Sequence, residues 1–225
     1  ISLDIKAGET VAIVGATGAG KSTIINLLSR FYEYETGEIT IDSISIKDFE
    51  LNALRKHVAV VLQDVFLFAD SLFNNITLFD PQIRREDVAD AAKKIGVHNF
   101  IESLPGGYDF NVKERGVMLS SGQRQLIAFL RAYITQPAIL VLDEATSSVD
   151  SYTEEVIQKA IDTLTEGKTS IVIAHRLATV KNADRIIVMD QGNIVEQGTH
   201  EELFKVSNGY YAKLYEVQFA EELMQ

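Results

Sequence analysis

"TVAIVGATGAGKSTIINLL", Thr10 to Leu28, decides the fold. Its first five residues are apolar or β-branched without a charged break, the pattern of a strand buried on both faces. Glycines at 15, 18 and 20 interrupt the run, and Ile24, Leu27 and Leu28 resume it at helical spacing. Gly15-x-x-x-x-Gly20-Lys21-Ser22 between a strand and a helix is a phosphate-binding loop. The candidate nucleotide-binding residues are therefore Gly15, Ala16, Thr17, Gly18, Ala19, Gly20, Lys21, Ser22 and Thr23. Glycine lets the backbone curl so that successive N–H groups face phosphate oxygens. Lys21 is placed to reach the β- and γ-phosphates, Ser22 to ligate Mg²⁺, and the helix adds its positive end.

Outward from this stretch, β-rich segments recur at Gly37–Asp42, Val58–Gln63, Ala138–Asp143, Thr169–Ala174, Arg185–Asp190 and Asn193–Gly198. The opening "ISLDIKAGE" reads as one more strand and a turn. Nearly continuous apolar strands alternating with helices predict an α/β domain: a mainly parallel sheet covered on both faces, as in P-loop NTPases. "SYTE", Ser151 to Glu154, predicts a capping box opening a helix with Ile157, Ile161 and Leu164 inward. From about Asp70 to Gln136 the chain changes character, with helix-like "REDVADAAKKIG" and "FIESL". The expected division is a catalytic core of residues 1–69 and 137–225 around a helical subdomain of residues 70–136.

Three strand ends converge on the loop. "ILVLDE" closes a buried strand with Asp143 and Glu144, and ligands of α/β sheets sit at the carboxyl ends of strands. Adjacent strand residues point opposite ways, so two acids can take two roles. Asp143 is expected to hold Mg²⁺ through water, and Glu144 to orient and deprotonate the attacking water. His175 closes another strand and is expected at the γ-phosphate. Gln63 lies just past a strand and follows the same logic with less force.

Bulk composition narrows the class. Charge is −11 and the basic residues are scattered, which disfavours a nucleic-acid partner. Cysteine is absent, excluding disulfides and thiolate metal sites. No apolar run approaches the roughly 18 residues of a membrane span. The chain begins at Ile1 rather than Met, and the expectation is a piece of a longer protein.

A second anion site is implied by "LSSGQRQLIAFLRA", Leu119 to Ala132, where small residues open a helix. With the P-loop, Gln63, "LSSGQ", "ILVLDE", "SSVD" and His175 in this order, the chain resembles the ATP-binding cassette family over essentially its whole length. "RFYEYETGEITID", "LPGGYDFNVKERG" and "IAHRLATVKNADRIIVMDQGNIVEQGTHEEL" resemble the exporter branch in particular.

The resemblance implies a head-to-tail dimer with each ATP held between one P-loop and the partner's signature helix. Leu119, Ser120, Ser121, Gly122 and Gln123 would then serve the partner's nucleotide, with Asp150 of "SSVD" along the seam. Gln63 would join Ser22 and Asp143 at Mg²⁺. The partners implied are a second ATPase domain, with a homodimer favoured, and a transmembrane domain. The location implied is the cytoplasmic face of a membrane. Docking is expected through the region after Gln63, including Phe66, Leu67 and Phe68, and through Glu114–Gly116. These three apolar residues fit core packing equally well.

Two departures qualify the match. Ser121 stands where the family has glycine, and its Cβ crowds the phosphate only if the backbone needs a positive φ there. The expectation is reduced rather than abolished use of that site. No aromatic precedes Phe31, so the adenine-stacking residue of the family is absent and weaker nucleotide binding is expected. "FLRA", Phe129 to Ala132, reads as repacking only. The competing reading is a soluble cassette ATPase acting on nucleic acid or ribosomes; the scattered charge counts against it. A GTPase lacks support, since no Asn-Lys-x-Asp motif occurs.

Overall fold

A computed structural model describes residues 1–144 and 151–218. In chain order its elements are β1 (Thr10–Val14), α1 (Lys21–Leu28), β2 (Thr40–Ile41), β3 (Ile44–Ser45), α2 (Leu51–His57), β4 (Val58–Val61), α3 (Leu72–Thr77), α4 (Arg85–Lys94), α5 (His98–Glu102), α6 (Ser121–Thr135), β5 (Ile139–Asp143), α7 (Ser151–Thr165), β6 (Thr169–Ile173), α8 (Leu177–Asn182), β7 (Arg185–Asp190), β8 (Asn193–Gly198), α9 (His200–Phe204) and α10 (Tyr210–Gln218). The described residues form two compact units, 1–60 with 138–144 and 167–218, and 61–137 with 151–166.

The main sheet has the order β4-β5-β6-β1-β7-β8. β1 runs parallel to both β6 and β7, and β5 runs parallel to β6. β8 is antiparallel to β7, returning from it across a tight turn. The mostly parallel α/β sheet expected from the apolar runs is thus present. Val11 to Val14 are all at most 1% exposed, so the strand is closed on both faces and its polar backbone is satisfied by ladder bonds on both sides.

Two apolar clusters fill the first unit. One joins Val11, Ile13, Ile171, Ile187 and Met189; the other joins Ile25, Ile46, Leu54, Val58, Val141 and Ile173. Short β2 and β3 form a hairpin whose turn residues, Asp42 and Ser43, both have positive φ, the backbone twist that favours tight hairpins.

The opening segment differs from expectation. Residues 1–6 form no strand, although Leu3 and Ile5 still pack on the first cluster with strand-like alternation. A strand exists only with a ladder partner. Here the backbone is held instead by Arg185, which donates to the Asp4 carbonyl and pairs with Glu9 at 2.8 Å.

In the second unit, α6 is the central helix and packs against α3, α4 and α7. Leu126, Ile127, Phe129 and Leu130 of α6 are buried, as are Ile157, Ile161 and Leu164 of α7. α7 already includes Ser151, so the position that would cap it lies outside the described residues.

Candidate functional site

The parallel sheet brings three strand ends to one edge of the first unit. β1 ends at Val14 and delivers the Gly15–Thr23 loop; β5 ends at Asp143, opposite Ile173 of β6 in register; β6 leads through Ala174 to His175. Parallel pairing aligns carboxyl ends, so residues far apart in sequence reach one place.

The loop is built against the β7–β8 turn. A Cβ on Gly15 would overlap the Met189 carbonyl oxygen and lie 3.2 Å from the Ala19 Cβ, so only glycine fits. The Gly192 N–H donates to the Ala19 carbonyl at 3.0 Å and braces the loop from behind. Ala16, Thr17, Gly18, Ser22 and Thr23 face solvent.

Lys21 is buried at the base of the loop. Its Nζ donates to the Gly15 carbonyl at 2.6 Å and the Ala16 carbonyl at 3.1 Å. Burial lowers its pKa, partly offset by the Asp143 carboxylate. Burial also lowers the His175 pKa, and the Lys21 cation adds to the effect. Lys21 is therefore coupled electrostatically to both Asp143 and His175 within this unit.

Glu144 is 1% exposed. Its Oε2 accepts from the His175 N–H at 2.9 Å and the Arg176 N–H at 3.2 Å, and its Oε1 accepts from the Thr179 hydroxyl at 2.6 Å. Burial raises its pKa, while these three donors pull the other way. The two adjacent acids do differ in environment: Asp143 is half-buried and Glu144 is shut in.

In the second unit, Ser120 caps α6. Its hydroxyl accepts from the Gln123 N–H at 3.2 Å, and the Gln123 side chain accepts from the Ser120 N–H at 3.0 Å, a reciprocal capping box. Ser121 occupies the first helical position without positive φ. The condition for crowding is absent, and Ser121 adds only an exposed hydroxyl. Leu119 and Gly122 are buried. Gln63 is exposed just beyond β4. Asp150 lies outside the described residues.

The expected docking stretch splits by residue. Leu67 is fully buried, whereas Phe66 and Phe68 are 57% and 44% exposed. Phe68 lies between Phe66 and Phe79 in edge-to-face contacts of 5.2 and 5.7 Å. Leu67 packs on the Glu114–Gly116 turn: a Cβ on Gly116 would lie 2.6 Å from the Leu67 Cδ1, and the glycine has φ +67. The two stretches that the resemblance pairs are therefore in contact.

Sequence reasoning missed two sets of partners. Thr179 carries no motif signal of its own and meets Glu144 only through the β5–β6 register. "FLRA" is more than repacking. Arg131 donates to the Asn75 carbonyl at 2.6 Å, the Phe66 carbonyl at 2.9 Å and the Asn75 Oδ1 at 3.1 Å. Burial lowers its pKa to about 10. Asn75, itself fully buried, bonds both the N–H and the carbonyl of Phe68.

A phosphate loop at a parallel sheet edge, with carboxylates at the next strand end but one, defines a P-loop nucleotide-binding domain. The sequence model of the family described as "ABC transporter" matches residues 1–147, and the chain belongs to that family. It is 48% identical over 97% of its length to a probable multidrug resistance ABC transporter ATP-binding/permease protein of Bacillus subtilis, covering 32% of that protein. It is 48% identical over 97% of its length to a putative multidrug export ATP-binding/permease protein of Staphylococcus aureus, covering 38% of it. The chain thus spans about a third of these curated relatives. Among solved structures it is similar to a bacterial Atm1-family ABC exporter with ATP bound, with TM-score 0.89 and 42% identity, over 97% of this chain and 38% of that one.

Proposed function

We propose that this chain is the ATP-hydrolysing motor of an exporter, working as a head-to-tail pair of ATPase domains coupled to a transmembrane domain. The observation that carries this reading is the sheet edge where Gly15–Thr23, Asp143, Glu144 and His175 end neighbouring strands of one unit. The relatives' names, multidrug and export ATP-binding/permease proteins, support a transport role. Among the described residues no helix is long and apolar enough to cross a membrane, so the membrane path belongs to a partner domain. The domain then works at the cytoplasmic face.

The loop fits a triphosphate. Its exposed residues would present backbone N–H groups to the phosphates, and Lys21 would turn from its own loop carbonyls to β- and γ-phosphate oxygens. The oxygen donors of Ser22 and Asp143 suit Mg²⁺, a hard ion held by one or two carboxylates together with phosphates and water. Gln63 joins them by resemblance. When bound, Mg²⁺ supplies neutralisation of the phosphate charge.

In hydrolysis a water oxygen bonds to the γ-phosphorus as the bond to the β,γ-bridging oxygen breaks. Glu144 accepts the water's proton, His175 holds the γ-phosphoryl group, and Lys21 offsets charge on the departing ADP. Ser120 and the N–H groups at Gly122 contact the partner's γ-phosphate, with Leu119, Ser121, Gln123 and Asp150 along the same seam. Loss of that phosphate removes donors' shared target and opens the pair. The exposed Phe66, Phe68 and Phe79 face the transmembrane partner.

The test is Glu144→Gln in light scattering coupled to size exclusion. A dimer that appears only with Mg-ATP and persists supports the shared site. A variant that binds ATP, stays monomeric in the presence of an added N-terminal stretch bearing an aromatic residue, and still hydrolyses refutes it.

A further inference from the structure

We infer that Thr179 is a positioning residue for Glu144: its hydroxyl clamps the carboxylate in a stored position, shut away from the open phosphate loop. The inference rests on the reading of Glu144 as the base. The loop residues Ala16 to Gly18 and Ser22 meet solvent. Glu144 meets almost none. A carboxylate offers about four acceptor sites, and three are filled by the His175 and Arg176 N–H groups and the Thr179 hydroxyl.

Two of those donors are backbone and unavoidable, since they follow from the path of β6 into α8. The third is a choice of side chain. Thr179 is the third residue of α8. Here it reaches across to Glu144 at 2.6 Å, the shortest of the three contacts, and is itself buried. Hydrogen bonds to a charged group are the strong class, so the clamp sets much of the cost of bringing the base out. Nucleotide phosphates are gripped elsewhere, by Gly15 to Ser22.

The test compares Thr179→Val, which keeps shape and loses the hydroxyl, with Thr179→Ser, which keeps the hydroxyl. Amide hydrogen exchange resolved by residue is the first readout. In Thr179→Val the His175 and Arg176 amides exchange about tenfold faster, Ala174, which bonds to the Ile13 carbonyl at 3.2 Å, serves as an unchanged control, and Thr179→Ser restores protection. Steady-state ATP hydrolysis is the second. Thr179→Val raises kcat about fivefold at unchanged KM, and Thr179→Ser returns it to the wild-type value.

Unchanged exchange at residues 175 and 176 overturns the clamp whether or not the chain hydrolyses ATP. Faster exchange with kcat unchanged or lowered also overturns it, since the contact then supports the working position. Glu144→Gln in the same assay separates the two readings. If that variant hydrolyses ATP like wild type, the base assignment has failed; if it is inactive and Thr179→Val is not accelerated, only the clamp has failed.

Discussion

The two units use their buried polar groups differently. In the first, the chemistry is folded inward. Lys21 bonds its own loop and Glu144 bonds the segment after β6, so charges proposed to meet a nucleotide are satisfied by the chain itself. In the second, buried polar groups such as Arg131 and Asn75 fix the backbone, and apolar side chains are left outside: Phe66, Phe68, Leu78, Phe79, Val117 and Met118 are all at least 44% exposed. A site for a small, highly charged ligand can wait closed on itself, because the ligand brings enough charge to replace internal bonds. A site for another polypeptide gains from apolar area kept free.

The contrast can be broken most sharply at Lys21. Lys21→Ala should reduce ATP hydrolysis by about 10²–10³-fold while the thermal midpoint hardly moves, since only two loop bonds are lost. A hydrolysing Lys21→Ala variant would place the reactive charge elsewhere. In the second unit Leu67→Ala should cost about 2–4 kcal/mol in denaturant unfolding, because Leu67 fills the space over Gly116. Arg131→Met leaves the Phe66 and Asn75 carbonyls without their donor, and a loss of about 1–3 kcal/mol is expected in the same experiment.

A smaller effect separates pH from packing. Burial, then Lys181, lowers the pKa of His200, whose Nδ1 lies 2.6 Å from the Tyr211 hydroxyl. The unfolded chain therefore takes up this proton first. Stability that is full above about pH 6.5 declines as pH falls through the unfolded value toward the folded one. Thermal melts from pH 7.5 to 5.5 should show that decline, and His200→Phe should shallow it. Smallest of all, Phe66→Ser and Phe68→Ser should leave unfolding within about 0.5 kcal/mol of wild type. A larger loss from either would show that these rings serve the fold and not a partner.

What could be read from sequence was what sequence keeps local. Strand, loop and helix at Thr10–Leu28 are contiguous, and the spacing of Gly15, Gly20 and Lys21 is itself the geometry. Buried parallel strands are legible because both faces demand apolar residues, as at Ile139–Leu142. The helix start at Ser120–Gly122 is likewise local, since small residues open α6 there. The Ile1–Lys6 segment shows the limit of that approach: its alternation is correct, but a strand also needs a neighbour, and here Arg185 supplies a side-chain tie instead. Thr179 and Glu144 are brought together by register between β5 and β6, and Arg131 reaches Asn75 across a helix pair. Neither pairing leaves a periodic trace, since a single side-chain bond has no period. Ser121 was open in sequence only because φ is a backbone property; as the first residue of α6 it has the ordinary helical sign.

The bracing of the phosphate loop by Met189 and Gly192 has a consequence for how the chain comes to life during synthesis. Within this stretch the loop precedes the other strands of the sheet, yet the carbonyl that forbids a side chain at Gly15 lies on β7 and the amide that holds Ala19 lies in the turn after it. A nascent chain that stops short of β7 has the whole P-loop sequence but not the wall that shapes it. Tight nucleotide capture therefore arrives late, after the sheet has closed, and ATP then stabilises only finished domains.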